Sequence, residues 1–292
     1  MATSELTQFL SNLCSSITNF ATWEATKNLA NSAFTTSLIG SLAGAFAGAV
    51  AAQQIAERGK HREELLREIR NTNAAIAIAF GICNSLLALK KQHVKDLKTR
   101  FDAQKAAALK FQQKRKNGEI QDDAQFVFQT DLQTLQAHSL PTDTLRAIVF
   151  ERLSLVGRTL NLVITLAQTA QSLDDSVEKR NALIERYKTE FANDNRNLPP
   201  LYFGFPYGEG HVNLDYPGTV EAIYNQTNDG IFFSDLLCKD LHEHGQHLAD
   251  EFKKKFKKEA PRVNKIDFGT AAELMPDEKD YTDWTRAFVK KV

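Results

Sequence analysis

This chain has no surplus of charge of either sign: 36 Lys and Arg stand against 36 Asp and Glu. No global field calls for an acidic substrate or for nucleic acid, so a nucleic-acid partner is not expected. Proline and glycine are scarce, at 7 and 14 of 292 residues, which argues against many short strands joined by tight turns. The three cysteines, Cys14, Cys83 and Cys238, are far apart and cannot all pair. That pattern fits a reducing compartment rather than a disulfide framework. No Lys or Arg precedes Lys27, so the basic n-region of a cleaved secretory signal is missing. Phosphate-cradling G-x-x-x-x-G-K-[ST], dinucleotide-type G-x-G-x-x-G after a strand, and a G-x-S-x-G elbow are also missing, and no cofactor is favoured.

What remains is rich in Ala, Leu, Gln, Glu and Lys, the residues of helices. The expected class is mainly α: a bundle of long helices with one N-terminal transmembrane helix and an irregular connector rich in aromatic residues and proline. The expected segments are an amphipathic helix (1–31), a glycine-striped helix (32–56), a helical body (57–197), the connector (198–218) and a C-terminal helical region (219–292).

The first segment places Leu6, Phe9, Leu10, Leu13, Ile17 and Phe20 at helical spacing over an uncharged face of Ser, Thr, Asn and Gln. It reads as a helix packed on its own protein, with an interfacial position as the alternative. The next segment is the most distinctive. Gly40, Gly44, Gly48 and Ala52 follow one another at four-residue steps inside an uncharged run from Asn28 to Gln54. Small residues at that spacing form a ridge that lets another helix approach closely. From Ala33 to Ala52 is about the 20 residues needed to cross a hydrocarbon core. Its large apolar residues are few, so the segment is a weak anchor, and a tightly packed soluble helix is the competing reading.

A charged helix follows, and then a second apolar run, Ala74 to Leu89. Cations flank it on both sides, from Arg58 to Arg70 and from Lys90 to Arg100. Both ends therefore ask to be cytoplasmic, and one crossing cannot satisfy both. The expected topology has the first segment crossing, everything after Arg58 in the cytoplasm, and Ala74 to Leu89 buried or re-entrant. A hairpin of two spans is the alternative, as is a wholly cytoplasmic chain.

Asn117-Gly118 reads as a helix stop, and Ala124 to Leu132 as a possible short strand without a visible partner. Beyond Pro141, with Thr142 and Asp143 as candidate caps, one long helix is expected through Val177, with Leu155, Leu162 and Leu166 widening its apolar stripe. The connector holds Pro199, Pro200, Pro206 and Pro217 among Tyr and Phe residues. It reads as a packed connector that lays its rings on the bundle. Two further helices are expected, Thr219 to Asn225 and Phe233 to Lys258.

Two constellations invite chemistry. Asp240, His244, His247 and Glu251 fall at i, i+4, i+7 and i+11, so two imidazoles and two carboxylates share one helix face, as divalent-metal ligands would. An ordinary polar helix face is the plainer reading. Directly after it, Phe252 and Phe256 lie one turn apart among Lys253, Lys254 and Lys257, a pattern that suits an anionic leaflet or phosphates but equally the C-terminal turn of any helix. The favoured function is a membrane-anchored, self-associating helical protein. It would act as a scaffold, an adaptor for a protein partner of its cytosolic body, or a membrane effector, possibly one that forms a pore. A soluble or peripheral metal-dependent hydrolase using the His face, and a soluble helical scaffold, are the alternatives.

Overall fold

A computed structural model describes residues 33–121, 124–136, 139–191 and 198–288. The amphipathic segment at 1–31 lies outside them. The described residues are mainly helical and contain no strand. Helix α1 (Ala33–Leu89) runs through a single π-helical turn (Lys90–Val94) into α2 (Lys95–Lys116). Then come α3 (Thr142–Arg152), α4 (Arg158–Glu190), α5 (Leu198–Phe203) and α6 (Asp215–Phe256). Two 3-10 turns (Gly269–Leu274 and Glu278–Tyr281) and the short α7 (Thr282–Arg286) complete the order.

The length of the α1–α2 run follows from composition. No proline occurs before Pro141, and isolated glycines cost a helix only about 1 kcal/mol each. It stops where a stop is written: Gly118 takes φ 71°, and the amides of Asn117, Gly118 and Glu119 turn back onto the carbonyls of Gln113, Arg115 and Lys114. Glycine carries no Cβ penalty in that conformation.

The chain divides into two units, Met1–Glu63 and Glu64–Val292. The division falls inside α1. In the described part of the first unit the backbone is a single helix.

The second unit is built around α6, which two helices cover in antiparallel fashion. Along α1, Cys83 and Cys238 donate to the carbonyls of Ile231 and Ile76, so residue numbers rise on one helix as they fall on the other. A Cβ on Gly230 would sit 2.6 Å from Leu86 Cδ1, and one on Gly245 would sit 3.2 Å from Thr72 Cγ2. At these two glycines α1 side chains lie directly against the α6 backbone. Along α4, Arg158 meets Asp240 and Arg180 meets Tyr216, again in opposite directions. The second apolar run is the heart of this packing, with Ile76, Ala79, Ile82, Cys83 and Leu86 all buried.

Several expectations are corrected. The single helix beyond Pro141 is two helices, α3 and α4. Leu153 is extended (φ −124°, ψ 141°), and Leu153 and Leu155 both lean on the core. An i, i+2 apolar pair suits extended backbone, not a helix stripe. Gly157 (φ 71°, ψ −126°) then turns the chain into α4, in a conformation that side chains rarely adopt. Thr142 is the first residue of α3 rather than its cap. The two C-terminal helices are one, α6. Pro217 is tolerated in its first turn, and Gly230 is a packing contact rather than a break. Residues 124–132 form no strand. Phe126 and Phe128 stack at 5.9 Å, and Phe128 meets Phe203 at 5.1 Å.

The connector contains α5, with Pro199 and Pro200 inside its first turn. Four of its five rings are buried: Tyr202, Phe203, Phe205 and Tyr216 join Phe101 and Tyr187 in a second core cluster, while Tyr207 is exposed. Tyr202 and Tyr216 stack at 4.4 Å. Such aromatic pairs contribute about 0.5–1.5 kcal/mol each beyond simple burial.

Candidate functional site

Gly40, Gly44 and Gly48 lie on the part of α1 that belongs to the first unit, and a Cβ added to any of them would meet nothing within 4 Å. Ala52 is exposed as well. So are Leu38 (48%), Leu42 (60%), Phe46 (56%), Val50 (38%) and Ile55 (74%). Leu38, Leu42, Phe46 and Val50 repeat the four-residue step of the glycines, displaced by two positions. Two residues turn an α-helix by about 200°. The helix therefore has a bare ridge on one side and a ridge of large apolar side chains across from it. One described helix, Gly40–Lys116, is long and apolar enough to cross a membrane, and half of its most apolar stretch is buried inside the fold. Described side chains from 37 to 60 are all exposed. The half-buried stretch is therefore the second apolar run, which composition alone cannot tell from a span.

The metal set is not assembled. Asp240 is 8% exposed, and its carboxylate is held by Arg158, whose Nε and Nη2 donate at 2.9 and 2.5 Å. That bonding raises the Arg158 guanidinium above its ordinary value. His244 Nε2 lies 3.2 Å from Glu68 Oε1, which also accepts the Ser154 amide at 2.7 Å. His247 is exposed and Glu251 half-buried. Among the described residues no group of three or more His, Cys, Asp or Glu side chains could hold a metal ion. The polar face of α6 serves instead to attach other segments. His242 Nδ1 donates to the Asn264 carbonyl at 2.8 Å. From α1, Asn73 accepts the Asn264 amide at 2.8 Å and donates to the Arg262 carbonyl at 2.9 Å.

The phenylalanines expected at a membrane or phosphate contact are buried. Phe252 and Phe256 are 1% and 8% exposed, with ring centroids 5.1 Å apart. Their one-turn spacing is a core stripe. Lys253, Lys254 and Lys257 face solvent, as do Lys255 and Lys258, at the helix end where cations are favoured in any protein.

Sequence spacing did not single out the region around the π turn. Lys90 continues the buried stripe of Cys83, Leu86 and Leu87, and it is 6% exposed. Its Nζ donates to the Leu274 carbonyl at 2.6 Å. Burial, with the nearby Lys95 charge, holds its amine below the usual lysine range. On α6, burial pushes the Asp229 carboxyl up, opposed by the Tyr281 hydroxyl that donates to it at 2.9 Å. Tyr281 in turn lies flat on Phe232, at 3.8 Å and 6° between planes. The π turn with Lys95, α6 and the 273–281 segment border a half-open cavity of about 590 Å³. The available signal was the spacing itself, which puts Lys90 on the core face of α1 where a flanking cation had been expected.

No known family matches this chain, and no curated protein or solved structure is detectably similar to it. Function must be argued from the chain's own geometry.

Proposed function

We propose that this is a membrane-anchored helical protein. The glycine-striped segment crosses the bilayer and self-associates there through Gly40, Gly44, Gly48 and Ala52. The helical body beyond Arg58 acts on the cytoplasmic side as a scaffold or adaptor for a protein partner. One observation carries this reading: the apolar ridge of Leu38, Leu42, Phe46 and Val50 is exposed, while the second apolar run is used up in the core of the body. Leaving a large apolar side chain in water forgoes about 1.5–3 kcal/mol each. Lipid covers such a helix on all sides, and the glycine ridge allows a second copy to approach at backbone distance. Orientation follows from Arg58, Lys60 and Arg62, which favour the cytoplasmic side.

Carbonate extraction of membranes from cells expressing the full chain tests the anchor. Retention in the pellet is expected, and release into the supernatant overturns it. Cross-linking in detergent tests the ridge, because Gly44→Leu is expected to abolish the dimer while leaving the pellet fraction unchanged. Release of a soluble oligomer would instead mean that copies of the chain cover the apolar ridge themselves.

A further inference from the structure

We propose that the cavity beside the π turn binds a small zwitterion bearing both a carboxylate and an ammonium group, with a basic amino acid as the best match.

The anion-binding half comes from the π turn. An ammonium carries three N–H donors, yet the buried Lys90 has a single acceptor among the described residues, the Leu274 carbonyl. A buried charge so sparsely bonded is costly unless something else accepts from it. Lys95, exposed at the same cavity, adds a second cation. The two lysines would be about 140° apart on an unbroken α-helix. Here the Lys95 amide donates to the Lys90 carbonyl, and this i to i+5 bond winds the wider turn that brings residues five apart toward one side. Such single π turns are frequent at functional sites.

The cation-binding half comes from α6. Asn228 Oδ1 is buried and has no donor. Its neighbour Asp229 receives the Tyr281 hydroxyl and keeps further acceptor capacity. A ligand ammonium in the cavity can pair with the Asp229 carboxylate, which lines it. Around the mouth, Glu273, Asp277 and Asp280 are exposed. Four carboxylates, counting Asp229, thus face two ammonium groups, which disfavours a dianion and favours a ligand with a second positive charge. The volume, about 590 Å³, lies within the roughly 300–1,000 Å³ of small-molecule sites.

Isothermal titration of the full chain in detergent, with L-lysine, L-glutamate and 1,4-diaminobutane as probes, tests the assignment. Saturable binding of L-lysine is expected, with L-glutamate and the diamine each weaker by about tenfold or more. Lys95→Gln changes an exposed side chain and does not threaten the fold. It is expected to weaken L-lysine by about fivefold, the upper range for one solvent-facing ion pair, and to leave the diamine unchanged. The proposal is overturned if L-lysine shows no saturable heat up to about 10 mM. It is also overturned if the diamine binds as tightly as L-lysine, or if Lys95→Gln leaves L-lysine binding unaltered.

Discussion

Arg180 is the side chain whose removal the structure makes most consequential. It lies on α4 with 1% of its surface exposed, and its guanidinium anchors the 124–136 segment. Nη1 donates to the Gln133 carbonyl at 2.8 Å, and Nη2 reaches the Asp131 carbonyl and the Tyr216 hydroxyl, each at 3.4 Å. The Asp131 carboxylate is 3.6 Å away, with its side chain 23% exposed. Removing one member of a buried charge pair costs about 3–5 kcal/mol. Two features put this case at the low end. Asp131 can regain water, and Arg180 Nε has no acceptor, which already reduces what the arginine contributes. Arg180→Ala is therefore expected to lower unfolding free energy by about 3 kcal/mol. Arg180→Met fills most of the volume but leaves the Gln133 carbonyl without its donor, while Tyr216 still donates to the Asp131 carbonyl, and is expected to cost about 1–3 kcal/mol. Urea unfolding of the full chain in detergent, followed by tyrosine fluorescence, gives both values. Limited proteolysis adds a local readout, with cleavage expected to move into 124–136 before the body unfolds. An unchanged urea midpoint for Arg180→Met, with that segment still protected, would refute the assignment of Arg180 as its anchor.

Glycine substitutions should split by position. Gly245→Ala forces a Cβ to 2.6 Å from Val263 Cγ1, so an overpacking cost of about 1–3 kcal/mol should exceed the roughly 1 kcal/mol of helix propensity gained, giving a lower thermal midpoint. Gly81→Ala meets nothing within 4 Å and should raise it by up to about 1 kcal/mol of stability. Asp229 supplies a pH signature. Its folded-state pKa is raised by burial, so its ionisation opposes folding above the folded value, and the penalty disappears as pH falls toward the unfolded one. Asp229→Asn, which can still accept from Tyr281, should therefore be more stable than the parent at pH 7 and converge with it near pH 4, as paired urea titrations will show. Burial pushes the Cys83 thiol up to about 12 and raises Cys238 as well. Maleimide at pH 8, read by peptide mass spectrometry, should label both only after unfolding, and rapid native labelling would contradict the packing of α1 on α6.

The sequence by itself determined the helical class and the stop at Gly118, because these rest on local chemistry: helix formers, scarce proline, and a glycine where φ must be positive. It also marked Ala74 to Leu89 as apolar, and flanking charge pointed away from a simple span. Tertiary structure alone decided what those residues pack against. A four-residue step of small side chains at Gly40, Gly44 and Gly48 looked like the contact surface, yet among the described residues it is Gly230 and Gly245, which form no motif, that lie against α1 side chains. The His and Asp stripe on α6 had metal spacing, but Arg158 and Glu68, from segments distant in sequence, pair with its Asp240 and His244. Lys90 read as a flanking cation, although helical phase places it inside the core stripe. Period and propensity are properties of neighbours along the chain. Whether a polar side chain meets a partner, a metal or a ligand depends on helices 80 to 180 residues away, as the pairs Arg158–Asp240 and Glu68–His244 demonstrate.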